Sequence, residues 1–212
     1  MFENIKSKFP VFKLNPNLVF MDSAASALKV DSMIKSINDC YSYEYSNIHR
    51  GVYDLSAKLS KKYEDARLNI SNFIGSPSQE NIIFTKNATE GINLISSLFT
   101  NDFINDGDEI IISELEHHAN IVPWHLAKKI KNFNLIVVEI NKNGEINYDD
   151  LIKKINSRTK LISLTHMSNV TGAITNFEKI KGLRKKFDIA LLVDGCQYAA
   201  HNQLNIADLD PD

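Results

Sequence analysis

The sequence predicts a doubly wound α/β fold, a mostly parallel sheet with helices on both faces. Two observations carry this. Short β-branched runs, such as 110–112, 135–138 and 189–193, are apolar at consecutive positions, as strands buried on both faces must be. From residue 81 onward such runs alternate with helix-sized amphipathic segments, the order of a parallel sheet. In a sheet of this kind chemistry is expected at the carboxyl ends of the strands.

The elements follow in order. A short helical arm is expected over residues 2–9, stopped at Pro10, and then a strand over 18–21 leading into Asp22-Ser23-Ala24-Ala25-Ser26. Residues 31–45 read as a helix. In a second helix, over 56–74, Leu59, Tyr63, Ala66, Ile70 and Phe73 step by four and three along one face. Gly75 and Pro77 close it. Strands are then expected over 81–85, 108–113, 135–140, 160–166 and 189–195. Helices are expected between them over 89–98, 120–131, 147–155 and 177–187, with Pro123 in a first turn, where its missing N–H costs least.

Composition bounds the function. A length of 212 residues suffices for one large α/β domain, or one domain plus an arm. A charged fraction of 24% and a net charge of −2 give no sign of a general nucleic-acid binder. No apolar run approaches the ~20 residues of a membrane span. The N-terminus lacks the apolar stretch and cleavage site of a secretory signal, so a cytoplasmic, unprocessed protein is expected. Cys40 and Cys196 are far apart and no disulfide is expected. No zinc signature occurs, and no metal is expected.

Five segments offer chemistry. In Phe84-Thr-Lys-Asn-Ala-Thr-Glu-Gly91 a turn opens a helix near Thr89; its N–H groups and hydroxyl suit a phosphate, or Thr89 only caps the helix. The segment has neither a dinucleotide nor a P-loop fingerprint. His117 and His118 lie between a strand end and a helix start, suited to ring stacking or proton transfer, or merely polar. Asp194 ends an apolar strand and needs a cation or donor if buried, or caps the next turn. A protonated pyridine nitrogen is one such cation. Thr165, His166 and Asn169 follow another strand, with Gly172 for a tight turn; a polar turn is the alternative. His49 and Arg50 occupy a loop ending at Gly51, where a solvated loop is the plainer reading.

Together the segments DSAAS, SNIHRG, NATEGINL, EHHANIVPW, THMSNVTGAI and VDGCQ resemble the cysteine desulfurases, in order and rough spacing. They look most like the SufS-type branch of the class V aminotransferase superfamily, the fold-type I pyridoxal 5′-phosphate (PLP) enzymes. The resemblance runs from about Val19 to Asp212. It implies a three-layer PLP-transferase-like large domain over 18–212, incomplete at its C-terminal side, behind an arm over 1–17.

The resemblance also implies roles. His117 matches the imidazole that stacks on PLP and moves protons. Asp194 matches the partner of the pyridine nitrogen, and Gln197 the donor to the ring's phenolic oxygen. Ala88 and Thr89 match part of the phosphate cup. Asn169 matches a residue near the cofactor and the substrate carboxylate, while Ala24 and His49 match segments that approach the substrate. The implied reaction converts L-cysteine to L-alanine and leaves persulfide sulfur on the enzyme for Fe–S cluster assembly. The implied partners are a second copy of the chain and a sulfur-acceptor protein, with no nucleic acid and no membrane.

The sequence departs from the family pattern in what it lacks. By family spacing the Schiff-base lysine would fall about eight residues past Asp212. The nucleophilic cysteine and the C-terminal small domain are also expected beyond it. Neither Cys40 nor Cys196 matches the nucleophile, and Lys86 reads as a solvated lysine. The isolated chain is expected to be inactive, with an exposed sheet edge and apolar face. A selenocysteine lyase-like PLP lyase and a non-catalytic remnant or binding subunit are the alternatives.

Overall fold

The computed structural model describes residues 5–212. The chain divides into two compact units, parted between Ile70 and Ser71.

The first unit is helical. It holds α1 (Val11–Leu14), α2 (Asp31–Asp39) and most of α3 (Asp54–Phe73). The expected helix over 31–45 is α-helical only to Asp39 and runs on as a π-helix over Cys40–Glu44. The expected strand over 18–21 does not form; those residues have no regular structure. The first residues of the expected arm helix over 2–9 lie outside the described residues. On α3 the expected apolar face is present in sequence, but Ile70 and Phe73 are 39% and 68% exposed.

The second unit is a parallel sheet with helices on both sides. It contains α4 (Ala88–Phe103), β1 (Glu109–Ser113), α5 (Val122–Ala127), β2 (Asn134–Val138) and α6 (Tyr148–Lys154). There follow β3 (Thr159–Thr165), α7 (Glu178–Phe187), β4 (Ala190–Asp194), α8 (Tyr198–His201) and α9 (Ile206–Leu209). The strand order is β2-β1-β3-β4, all neighbours parallel. Every residue of β1 is buried, as its unbroken apolar run requires. Alternate residues of a strand face opposite sides, and the cores show it. Ile111 packs with Leu151, Phe177 and Ile180 of the α6 and α7 layer. Ile110 and Ile112 pack with Trp124 and Ala127 of α5 on the other side. The unit is therefore three layers deep.

Residues 81–85, expected as a strand, are not among the four strands. Ile82 is extended, at φ −92° and ψ 115°, and buried, while Ile83 is 74% exposed. A β-branched run favours extended backbone. The expected helix over 120–131 is shorter than its pattern. A 3₁₀ turn (His118–Asn120) precedes α5, and Ile121 at φ −116° breaks the two apart. Pro123 does sit in the first turn of α5.

At the other end of the sheet Glu109, 5% exposed, is held by Arg158 Nε at 3.0 Å and Asn156 Nδ2 at 2.8 Å. The buried Arg184 guanidinium is bound by Asp212 and by the Asp210 carbonyl, and Asp212 also accepts the Leu191 N–H at 2.9 Å. These contacts tie residues 210–212 to α7 and β4.

Candidate active site

The carboxyl ends of β1, β3 and β4 lie at one edge of the sheet, because the strands are parallel and Thr165 is in register with Asp194. The loops leaving those ends carry four of the residues singled out in the sequence. His117 follows β1, Asn169 follows β3, and Asp194 and Gln197 stand at the end of β4 and the start of α8.

Asp194 is 9% exposed. One carboxylate oxygen accepts the Cys196 N–H at 3.1 Å, so the residue does cap the following turn. No basic side chain is ion-paired with it among the described residues. A buried carboxylate in that position suits a cationic ligand group. Cys196 is an exposed residue, but burial of its thiol and the adjacent Asp194 carboxylate push it up to about 12. It is thus a protonated thiol at neutral pH, unlike a reactive cysteine.

His117 caps the 3₁₀ turn, and its Nδ1 accepts the Ala119 N–H at 3.1 Å. In the neutral ring the proton then sits on Nε2. The rings of His117 and His118 are 6.0 Å apart and tilted by 52°. Beneath them lies a cluster that motif reading passed over. Glu116, 7% exposed, accepts from Ser113 Oγ at 2.5 Å and from Asn120 Nδ2 at 2.7 Å. The Thr165 N–H also binds it. Asn120 Oδ1 in turn accepts from Trp124 Nε1 at 3.0 Å and Ser163 Oγ at 2.6 Å. Burial pushes the Glu116 carboxyl up to about 7, and the Asp194 charge adds to the rise. The available signal was a second acid, three residues past the end of an apolar strand, overshadowed by the two histidines beside it.

Asn169 lies exposed in the loop 168–172, whose shape comes from Ser168 and Gly172. Ser168 Oγ accepts the Val170 and Thr171 N–H groups, and Gly172 has φ +72°, which a side chain would strain. Next to this loop His166 is buried and stacked on Tyr198, ring centroids 3.5 Å apart. Its burial lowers its pKa below the ordinary value. The sequence singled out His166 and did not foresee its Tyr198 partner.

Thr89 does not cap α4. Asn87 does, its Oδ1 accepting the Glu90 N–H at 2.9 Å, while the Glu90 carboxylate accepts the Lys86 N–H at 2.6 Å. The arrangement resembles a capping box, except that the Glu90 carboxylate takes the N–H of the residue before the cap. It places Ala88 and Thr89 in the first turn, where N–H groups lack intrahelical acceptors, and leaves the Thr89 hydroxyl without a capping duty. Lys86 is exposed and paired with Glu90. Helix α4 packs on the 118–120 turn.

In the first unit Ala24 lies in an exposed turn. His49 has φ +67°, donates its N–H to Ser60 Oγ at 2.8 Å, and pairs through Nε2 with Glu64 at 3.3 Å. These contacts fix the His49 loop against α3.

Residues 19–212 match the Aminotransferase class-V family. The chain belongs to that family. This class V chain is 38% identical to a cysteine desulfurase of Serratia proteamaculans, over 99% of the chain and 52% of the relative. It is 39% identical to a "Cysteine desulfurase SufS" of Plasmodium falciparum, over 97% of the chain and 38% of the relative. Among solved structures it resembles cysteine desulfurase CsdA of Escherichia coli, with TM-score 0.88, 30% identity, and coverage of 99% of this chain and 52% of that one. An apo cysteine desulfurase of Thermococcus onnurineus gives TM-score 0.90 and 30% identity, covering 99% and 51%. A neighbour at 19% identity and TM-score 0.81, which shows the fold alone, is described with glycine covalently linked to its PLP cofactor. The class V chain spans about half the length of the curated relatives it matches. Its α/β architecture is that of these PLP enzymes.

Proposed function

We propose that this chain is the PLP-binding part of a cysteine desulfurase that converts L-cysteine to L-alanine. The sulfur leaves as a persulfide on the enzyme, destined for Fe–S cluster assembly. The observation that carries the reading is Asp194, a carboxylate buried at the end of β4 with no protein cation paired to it among the described residues. The donor and acceptor set around it fits PLP. When bound, PLP supplies an electron sink for the bonds at the substrate Cα.

The chain's own residues would act as follows. Asp194 holds the proton on the pyridine nitrogen by charge. The first-turn N–H groups of Ala88 and Thr89, with the Thr89 hydroxyl, bind phosphate. His117 would face the cofactor ring and hold or move a proton at Nε2. Gln197 donates to the phenolic oxygen, and Asn169 orients that side of the cofactor and the substrate carboxylate. Ala24 and His49 approach the substrate. In the overall reaction the cysteine Cβ–S bond breaks, sulfur passes to an enzyme thiolate, and the carbon skeleton takes up a proton to become alanine. By the family pattern neither that thiol nor the lysine that carries PLP matches a residue of this sequence.

Residues 18–212 are then part of the large domain and 1–17 its arm. The protein works in the cytoplasm as a homodimer and hands sulfur to an acceptor protein. Among the described residues no helix is long and apolar enough to cross a membrane. The test is a chain continued to the relatives' length, supplied with PLP and L-cysteine. Alanine and persulfide sulfur should appear in equal amounts; no alanine from cysteine would overturn the proposal.

A further inference from the structure

The buried cluster under the histidine pair has a second consequence. Glu116 is one residue before His117, yet its carboxyl points into the protein and joins three separate pieces of chain. It accepts from Ser113 at the end of β1, from the Thr165 N–H at the end of β3, and from Asn120 in the turn that His117 caps. The orientation of the Asn120 amide leaves no choice in this. Its Oδ1 already takes the Trp124 indole N–H, which can only donate, and the Ser163 hydroxyl. Its Nδ2 must therefore donate, and Glu116 is the acceptor it meets.

We propose that Glu116 is the positioning residue of His117: its carboxyl locks the 117–120 turn to the ends of β1 and β3, so that the imidazole keeps Nδ1 engaged and its proton on Nε2. The turn has few other ties to the sheet. Asn120 N–H to the His117 carbonyl at 2.8 Å and Ala119 N–H to His117 Nδ1 at 3.1 Å are internal to it. The links to β1 and β3 run through Glu116 directly, or through Asn120, which Glu116 holds. Burial of the carboxyl, which pushes it up to about 7, is the cost of the arrangement; the three donors offset it. A residue that only filled core space would need none of them.

The meaning of this for catalysis rests on the proposed PLP-stacking role of His117. The geometry does not, so the test is made without cofactor. The 212-residue chain is labelled with ¹⁵N histidine, and the tautomer of His117 is read from its ring nitrogens by NMR. Wild type should show one tautomer, with the proton on Nε2. Glu116→Ala should show a mixture of tautomers. Glu116→Gln should restore the single tautomer, because its amide can still accept from Asn120 and donate to Ser113. Ile111→Ala, which opens a core cavity away from the turn, should lower stability and leave the His117 signal unmoved.

A folded Glu116→Ala chain with the wild-type His117 signal would overturn the proposal, whatever its stability. If Glu116→Ala does not fold, Ser113→Ala removes one bond to the carboxyl and takes its place; an unmoved His117 signal there overturns the proposal equally. If the chain passes this test, and a chain continued to the relatives' length never binds PLP, the proposed function is refuted and the positioning role stands.

Discussion

Replacing Glu116 by Gln should change how stability depends on pH. The carboxyl sits at about 7 in the folded chain and at the ordinary 4.5 when unfolded. A folded value above the unfolded one means that the folded chain binds more protons between them. The stability is fully present below about 4.5, declines as pH rises, and is lost once pH has passed about 7. At about 1.36 kcal/mol per unit the loss is on the order of 3 kcal/mol. His166 works in the opposite sense. Burial lowers it, so its contribution is lost as pH falls below its ordinary value. Asp150, held low chiefly by its hydrogen bond to Lys154, likewise loses its contribution in acid. Both are the same in variant and wild type and cancel in the difference. The assay is urea unfolding at pH 4.5, 6 and 8, followed by fluorescence of Trp124, the chain's single tryptophan and fully buried. The stability of Glu116→Gln relative to wild type should rise by about 3 kcal/mol across that range. A difference that stays constant with pH would refute the reasoning, because it would mean that Glu116 ionises alike folded and unfolded.

Other substitutions probe the frame and the site. Ile111→Ala should cost about 2–5 kcal/mol in urea unfolding, since the side chain is fully buried beside Leu151, Phe177 and Ile180. Asn87→Ala removes the cap of α4 and should cost about 1 kcal/mol in the same assay. It should also weaken binding of PLP, measured by calorimetry, if the first turn holds the phosphate. Arg158→Ala leaves the buried Glu109 with Asn156 alone and should cost about 1–3 kcal/mol. Cys196→Ser, in a chain of the relatives' length, should leave alanine release from cysteine within about twofold of wild type, because a thiol at about 12 supplies no nucleophile.

The layered frame was legible wherever burial is uniform. The runs of β1, β3 and β4 are apolar on both faces because the sheet is covered on both faces, and their positions follow directly. The failures have physical causes. Residues 18–21 and 81–85 have strand composition, but composition favours extended backbone without fixing which residues join the sheet. Helix 120–131 was read from its pattern, and its first turn tightened because His117 caps it from the side chain. At the site, Asp194 was legible because an acid at the end of a buried strand demands a partner. Thr89 left two readings open, and the structure closed one by giving the cap to Asn87. The Glu116 cluster was not legible. Its members are Ser113, Asn120, Trp124, Ser163 and Thr165, and only the parallel register of β1 and β3 brings them together. The His166–Tyr198 stack, between the ends of β3 and β4, was hidden for the same reason.

The measurement that bears most directly on the account is the protonation state of the pyridine nitrogen of ¹⁵N-labelled PLP bound to the protein at neutral pH. In wild type the nitrogen should be protonated, held so by Asp194, and in Asp194→Ala it should be neutral while PLP stays bound. The same protonation state in both proteins would contradict the placing of Asp194 beneath the cofactor ring.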